Sequence, residues 1–157
     1  MIEKRLLITG SRDWDDYGTI ARAMGIAIAD LVDVSKTALK QGEIKQKIIV
    51  VHGACPPKKI YDDSGNFVKY VGADYFADEF ANKIKTSMHS RGVLIVIEKH
   101  PADWNKYGNA AGPIRNKQMV DLGADKGLAF NKNRSRGTSG TIKLMHEAKI
   151  DVAVYTR

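Results

Sequence analysis

The sequence predicts an α/β fold of three αβα layers, with helices on both faces of one five-stranded, mostly parallel, doubly wound sheet. Three observations predict it. Five short apolar runs are near-continuous in Val, Ile and Leu, the pattern of strands buried on both faces. The stretches between them carry apolar residues at helical spacing. The two kinds of segment alternate along the chain, and that order builds a doubly wound sheet.

The strands are predicted at 5–8, 47–51, 93–97, 127–130 and 151–155. The first helix is read from Ile20, Met24, Ala27, Ile28, Leu31, Val34 and Ala38. In the second, Phe76, Phe80, Ile84 and Met88 recur every fourth residue and share one face. The third runs over about 112–122 and stops before Gly123, a glycine suited to the position after a helix end. The fourth carries Ile142, Met145 and Ala148. One segment breaks the rhythm. Lys59-Ile60-Tyr61 and Phe67-Val68-Lys69-Tyr70 flank Asp62-Asp63-Ser64-Gly65-Asn66, which predicts a β-hairpin-like insertion at about 55–71. Long connections in compact domains tend to be functional.

A chain of 157 residues suits one domain, taken as 1–157. Its 43% hydrophobic and 27% charged residues exclude the disordered, collagenous and membrane classes. The longest apolar runs, 48–51 and 93–97, are far too short to cross a bilayer. The first residues lack a signal-peptide core, so a cytoplasmic location is expected. The single cysteine, Cys55, leaves no internal disulfide, and no Cys/His set has zinc spacing. Neither a metal nor a cofactor is expected. The net charge of +7 gathers at Lys45 and Lys47, at Lys58 and Lys59, and at Lys132, Arg134 and Arg136. It serves either solubility or an anionic partner, a small phosphate compound or nucleic acid, and charge does not separate these.

Position is more informative. The first strand runs into Thr9-Gly10-Ser11-Arg12 and the second into His52-Gly53-Ala54. The third leads to Pro101-Ala102-Asp103-Trp104 and then to Gly112-Pro113-Ile114-Arg115-Asn116. The fourth leads to Ser135-Arg136-Gly137-Thr138-Ser139. Each polar, glycine-bearing loop thus follows a strand and precedes a helix, where open α/β sheets bind ligands. Glycine lets the backbone approach a phosphate. Free N–H groups and the helix dipole favour negative charge at helix starts. Ser11, Ser135, Thr138 and Ser139 add hydroxyls; Arg12, Arg115 and Arg136 add forked donors. The structural alternatives are turn geometry for the glycines, N-capping for Ser135 and Thr138, and a solvated Arg136. Neither G-x-G-x-x-G nor G-x-x-x-x-G-K-[ST] is present, which argues against a redox dinucleotide enzyme and a P-loop ATPase.

Together these loops resemble the SLOG superfamily of Rossmann-like proteins, in particular its YspA/YpsA-related branch in bacteria and phages. The resembling pieces are Gly10-Ser11-Arg12, His52-Gly53, Gly72-Ala73-Asp74, Pro101-Ala102-Asp103-Trp104, Ala111-Gly112-Pro113-Ile114-Arg115-Asn116 with Met119, and Ser135-x-Gly137-Thr138. The resemblance implies a Rossmann-like fold that binds nucleotides or nucleotide-derived ligands, and a homo-oligomer, commonly a dimer. More distant relatives are the DprA-like proteins and the LOG, or lysine decarboxylase-like, proteins, phosphoribohydrolases of nucleoside monophosphates. The LOG motif P-G-G-x-G-T-x-x-E aligns around Gly137-Thr138, but Arg134-Ser135-Arg136 replaces its first glycines and Thr141 its glutamate. Its arginine maps to Arg115.

Cleavage of an N-glycosidic bond calls for a carboxylate to stabilise a cation-like sugar or activate water. With threonine at 141, Asp74 and Asp103 are the loop candidates, against N-capping for Asp74 and turn support for Asp103. Asp13, Asp15 and Asp16 read as a solvated loop. Cys55 with His52 invites a nucleophile reading that sequence proximity does not establish. Trp14 and Trp104 stack on a base or pack under their loops. Three functions follow. The first is a nucleotide sensor or sequestering protein gripping phosphate with Arg12, Arg115 and the 135–139 loop. The second is a nucleoside monophosphate N-glycosidase. The third is an RNA- or single-stranded DNA-binding protein using the basic segments, although no RRM, KH or helix-turn-helix signature is present.

Overall fold

The computed structural model describes residues 1–36 and 43–157. Five strands form one sheet: β1 (Ile2–Gly10), β2 (Gln46–His52), β5 (Val93–Lys99), β6 (Lys126–Asn131) and β7 (Val152–Thr156). Every pairing in it is parallel, so the predicted mostly parallel sheet is wholly so. The order is β5-β2-β1-β6-β7, and the order reverses direction between β1 and β6. That is the doubly wound arrangement of a Rossmann-like fold, with its switch point beside Gly10 and Asn131.

Alternation along β1 divides the core. Leu6 and Ile8 face α1 (Tyr17–Leu31) and α2 (Ala73–Ser90), together with Ile48, Val50 and Phe130. Leu7 faces the other way, toward α4 (Ala111–Asp121) and α5 (Arg136–Glu147), with Val51, Met119 and Met145. Both faces of the sheet are therefore dry, as near-continuous apolar strands require. Trp14 is fully buried, edge-on to Phe130 at 5.4 Å, and its Nε1 donates to the Asp16 carbonyl. It packs under its loop and is not available to a ligand.

Helix ends depart from the periodicity. α1 stops at Leu31 because Val32 turns extended and the next residues find other partners. The Asp33 amide donates to Gln46 Oε1 at 2.7 Å, and the Asp33 carboxylate accepts from the Ser35 amide and hydroxyl. Local side-chain acceptors outcompete the helix here. Val34 thus sits exposed in a separate single turn (Val34–Lys36), while Ala38 lies outside the described residues. At the other end of the chain, Ala148 falls just past α5 and is exposed.

The insertion is a hairpin, as predicted: β3 (Lys58–Tyr61) pairs antiparallel with β4 (Phe67–Val71), with a bulge between Ile60 and Tyr61. Asp62 accepts from the Ser64 and Asn66 amides to fold the turn. The hairpin returns the chain to the first loop, where the Gly72 amide donates to the Trp14 carbonyl and the Ala73 amide to the Ser11 carbonyl.

Candidate functional site

The loops after β1, β2 and β6 and the starts of α2, α4 and α5 enclose a cleft of about 160 Å³ at the switch point. Gly10, Arg12, Gly53, Arg115, Asn116, Ser135, Gly137 and Thr138, all expected there, line it. So do Asp74, Cys55 and Met119.

Arg115 dominates the floor. It stands in the second turn of α4 and is only 7% exposed. Its Nη1 donates to the carbonyls of Gly53 and His100, the latter at 3.1 Å. Nε donates to Asn116 Oδ1 at 2.7 Å, and Nη2 lies 3.6 Å from Cys55 Sγ. Every partner is neutral. Among the described residues no carboxylate lies within ion-pair distance of this buried cation. A buried charge without a direct ion-pair partner is costly, and the carboxylate in the cleft lining, Asp74, is bonded instead to the Cys55 amide.

The backbone of two bordering loops is strained. Ala54 has φ 51°, and Asn133 and Arg134 have φ 53° and 52° in succession before α5. Residues other than glycine hold such angles only where the surroundings dictate them. The Arg134 bend delivers Ser135 to the N-cap position of α5, yet its side chain makes no capping bond. The first hydrogen bond inside α5 comes from Ser139, so the amides of the turn before it have no partner within the helix. Thr138, in that turn, is buried against the cleft. The aligned hydrolase glutamate position is also buried: the Thr141 hydroxyl donates to the Gly137 carbonyl at 2.8 Å, inside the helix.

Asp74 differs from its expected capping role. Gly72 occupies the N-cap of α2, and Asp74 sits in the first turn, 6% exposed, accepting from the Cys55 amide at 3.1 Å. Asp103 does act as a cap. Its carboxylate accepts from the Lys106 amide at the start of the four-residue α3 (Trp104–Tyr107), and it lies outside the cleft lining. The structure therefore brings Asp74, and not Asp103, to the cleft.

Other expected residues serve the frame. Ser11 is buried; its amide donates to the Phe130 carbonyl and its Oγ accepts from the Lys132 amide at 2.8 Å. It fastens the first loop to the β6–α5 loop without lining the cleft. Gly112 lies under the Trp104 ring, with 3.4 Å left for a Cβ. Ser139 Oγ accepts from Asn131 Nδ2. Asp16 caps α1 through Thr19, which holds its carboxyl below the ordinary range, and pairs with Arg157; Asp15 pairs with Lys132 and Arg157. Among the described residues, no group of three His, Cys, Asp or Glu side chains is placed to hold a metal. No described helix is long and apolar enough to cross a membrane.

The Cys55–His52 pair does not assemble. The Ala54 amide donates to His52 Nδ1, and Nε2 meets Asp78 Oδ2 at 2.8 Å. Both ring nitrogens are engaged away from the thiol. Burial, reinforced by the nearby Asp74 charge, pushes the Cys55 thiol pKa up, opposite to what a nucleophile needs. What the sequence reading missed is the carbonyl of His100, a backbone acceptor with no side-chain signature.

No protein-family model and no solved structure matches the chain. Among curated proteins, it is similar to the Gene 61 protein of Mycobacterium phage D29. The two are 35% identical over 149 residues, covering 95% of this chain and 94% of that protein.

Proposed function

The chain belongs to the family of the mycobacteriophage D29 Gene 61 protein, and we propose that its cleft is a ligand site. In this reading the protein is a SLOG-type sensor or sequestering protein for a nucleotide or nucleotide-derived ligand. The buried Arg115, bonded only to neutral partners, carries the proposal. A phosphate in the cleft would give the guanidinium the direct ion-pair partner that Asp74, bonded to the Cys55 amide, does not provide. The open first turn of α5 supplies backbone donors on the other wall, and its dipole adds to the attraction. Arg12, exposed at the rim, closes the grip.

Native mass spectrometry of freshly purified protein, followed by thermal shift with nucleoside monophosphates, tests it. A retained phosphorylated ligand, or a rise in melting temperature lost in Arg115→Ala, is the expected result. A shift of equal size in that variant removes Arg115 from the site.

A second reading is favoured by Asp74. Its buried carboxylate lines the same cleft as Arg115, where it could stabilise the cationic sugar of an N-glycoside or activate water. That reaction, on nucleoside monophosphates, releases free base. Incubation with the common monophosphates and chromatography of the products separates the two readings, since binding alone yields no base.

A further inference from the structure

The geometry points to a second anion position beside the cleft, formed by Arg12 and Lys58, so that the ligand carries a second phosphoryl group. This rests on the nucleotide-binding reading above and names the ligand class more closely.

Size is the first argument. Sites for whole small ligands run from about 300 to 1,000 Å³, and the cleft, at about 160 Å³, holds only part of one. The rest of the ligand must leave through the mouth. The mouth opens on a basin of about 490 Å³ lined by Ser11, Arg12, Asp13, Lys58 and Ser135. Arg12 and Ser135 line both spaces, so they are contiguous.

Charge is the second. Arg12 Nε donates to the Pro56 carbonyl at 3.2 Å, and this is the single hydrogen bond of its side chain among the described residues. The guanidinium is thereby aimed while its terminal nitrogens stay free. The Lys58 ammonium has no hydrogen bond or ion pair among the described residues. Two cations face one carboxylate, Asp13, which leaves the basin positive and able to accept a ligand hydroxyl.

The insertion gives the third. Its far end is fixed to the first loop: Gly72, at φ 143°, packs so closely that a Cβ there would lie 3.0 Å from the Arg12 carbonyl oxygen. Its near end, directly after Pro56 and Pro57, carries Lys58. The hairpin thus leaves and rejoins the binding loop and brings into the basin a cation that a short connection would not supply.

Calorimetric titration of the full chain with phosphate, pyrophosphate, AMP and ADP tests this. Pyrophosphate should bind tighter than phosphate, and ADP tighter than AMP, by roughly tenfold or more, as one added charge-assisted contact predicts. Lys58→Ala should erase that advantage and leave the single-phosphate affinities as they were. Equal affinity for one and two phosphoryl groups in the wild type overturns the second position, as does a Lys58→Ala loss common to all probes. Arg115-dependent binding of AMP in that same experiment would keep the cleft reading intact. Failure of all four probes would reject the cleft reading and this proposal together.

Discussion

Gly53 and Arg115 fit against each other so closely that a Cβ at position 53 would lie 2.6 Å from Nη1 and 2.7 Å from Cζ of the guanidinium. The same guanidinium donates to the Gly53 carbonyl, so it is held in the space a side chain would need. Retreat is limited by its other bonds, to His100 and Asn116. Gly53→Ala should therefore shift Arg115 and cost about 1–3 kcal/mol in the manner of an overpacked core. Its ligand-induced thermal shift should fall well below that of the wild type. A variant that binds as well as the parent shows that the guanidinium moves freely, and the glycine then has no role in the site.

Arg115 itself is tested by two substitutions. Arg115→Ala orphans the carbonyls of Gly53 and His100, at a cost of about 1–3 kcal/mol for each buried group left unpaired, and removes the anion partner. Arg115→Lys keeps one charge but not the fork that reaches both carbonyls and Asn116 together. Chemical denaturation should rank stability as wild type, then Lys, then Ala. Phosphate-dependent stabilisation should be weakened in the lysine variant and absent in the alanine variant. A lysine variant with full ligand response would reduce the site to a simple point charge.

The fold was legible because burial on both faces leaves a composition trace: the runs around Leu6, Ile49 and Ile95 admit no polar residue on either side of the sheet. The end of α1 was not, since Val34 continues the helical spacing, while the bonds that break it run from Asp33 to Ser35 and to Gln46, 13 residues further along the chain. Site residues divide in the same way. Gly10, Gly53, Arg115 and Gly137 were readable from their place after strands, where anion chemistry concentrates. Asp74 and Asp103 both stand at helix starts, and nothing local tells the buried first-turn residue from the cap. The same limit hides the His100 carbonyl, because main-chain acceptors look alike in every sequence.

An ion-pair chain stands behind that carbonyl. Glu98 takes Arg5 Nη2 at 2.6 Å and His100 Nε2 at 2.7 Å, and the hydrogen bond from Arg5 is the main cause that holds its carboxyl at about 2, against an ordinary 4.5. A carboxyl depressed in the folded state stabilises the protein above its unfolded value, and that contribution is lost as pH falls from 4.5 toward 2. Partial exposure of the pair limits the effect to about 1 kcal/mol. Urea denaturation between pH 6 and pH 2 should show Glu98→Gln less stable than wild type at the upper end, with the two curves converging at the lower. Curves that stay parallel throughout would mean that Glu98 titrates alike folded and unfolded.

Asp74→Asn decides between holding a ligand and cutting it. The amide oxygen of asparagine can still accept from the Cys55 amide, so the loop after β2 keeps its bond and the fold its stability, within about 1 kcal/mol. For a binding protein the substitution removes a negative charge from a cleft that receives a phosphate, and affinity for nucleoside monophosphates should stay or rise. For an N-glycosidase it removes the group that would stabilise the sugar cation or activate water, and base release should drop by orders of magnitude while binding persists. Base release unaffected in Asp74→Asn would exclude this carboxylate as the catalyst. Asp103→Asn, which alters only the cap of α3, serves as the comparison and should change neither quantity.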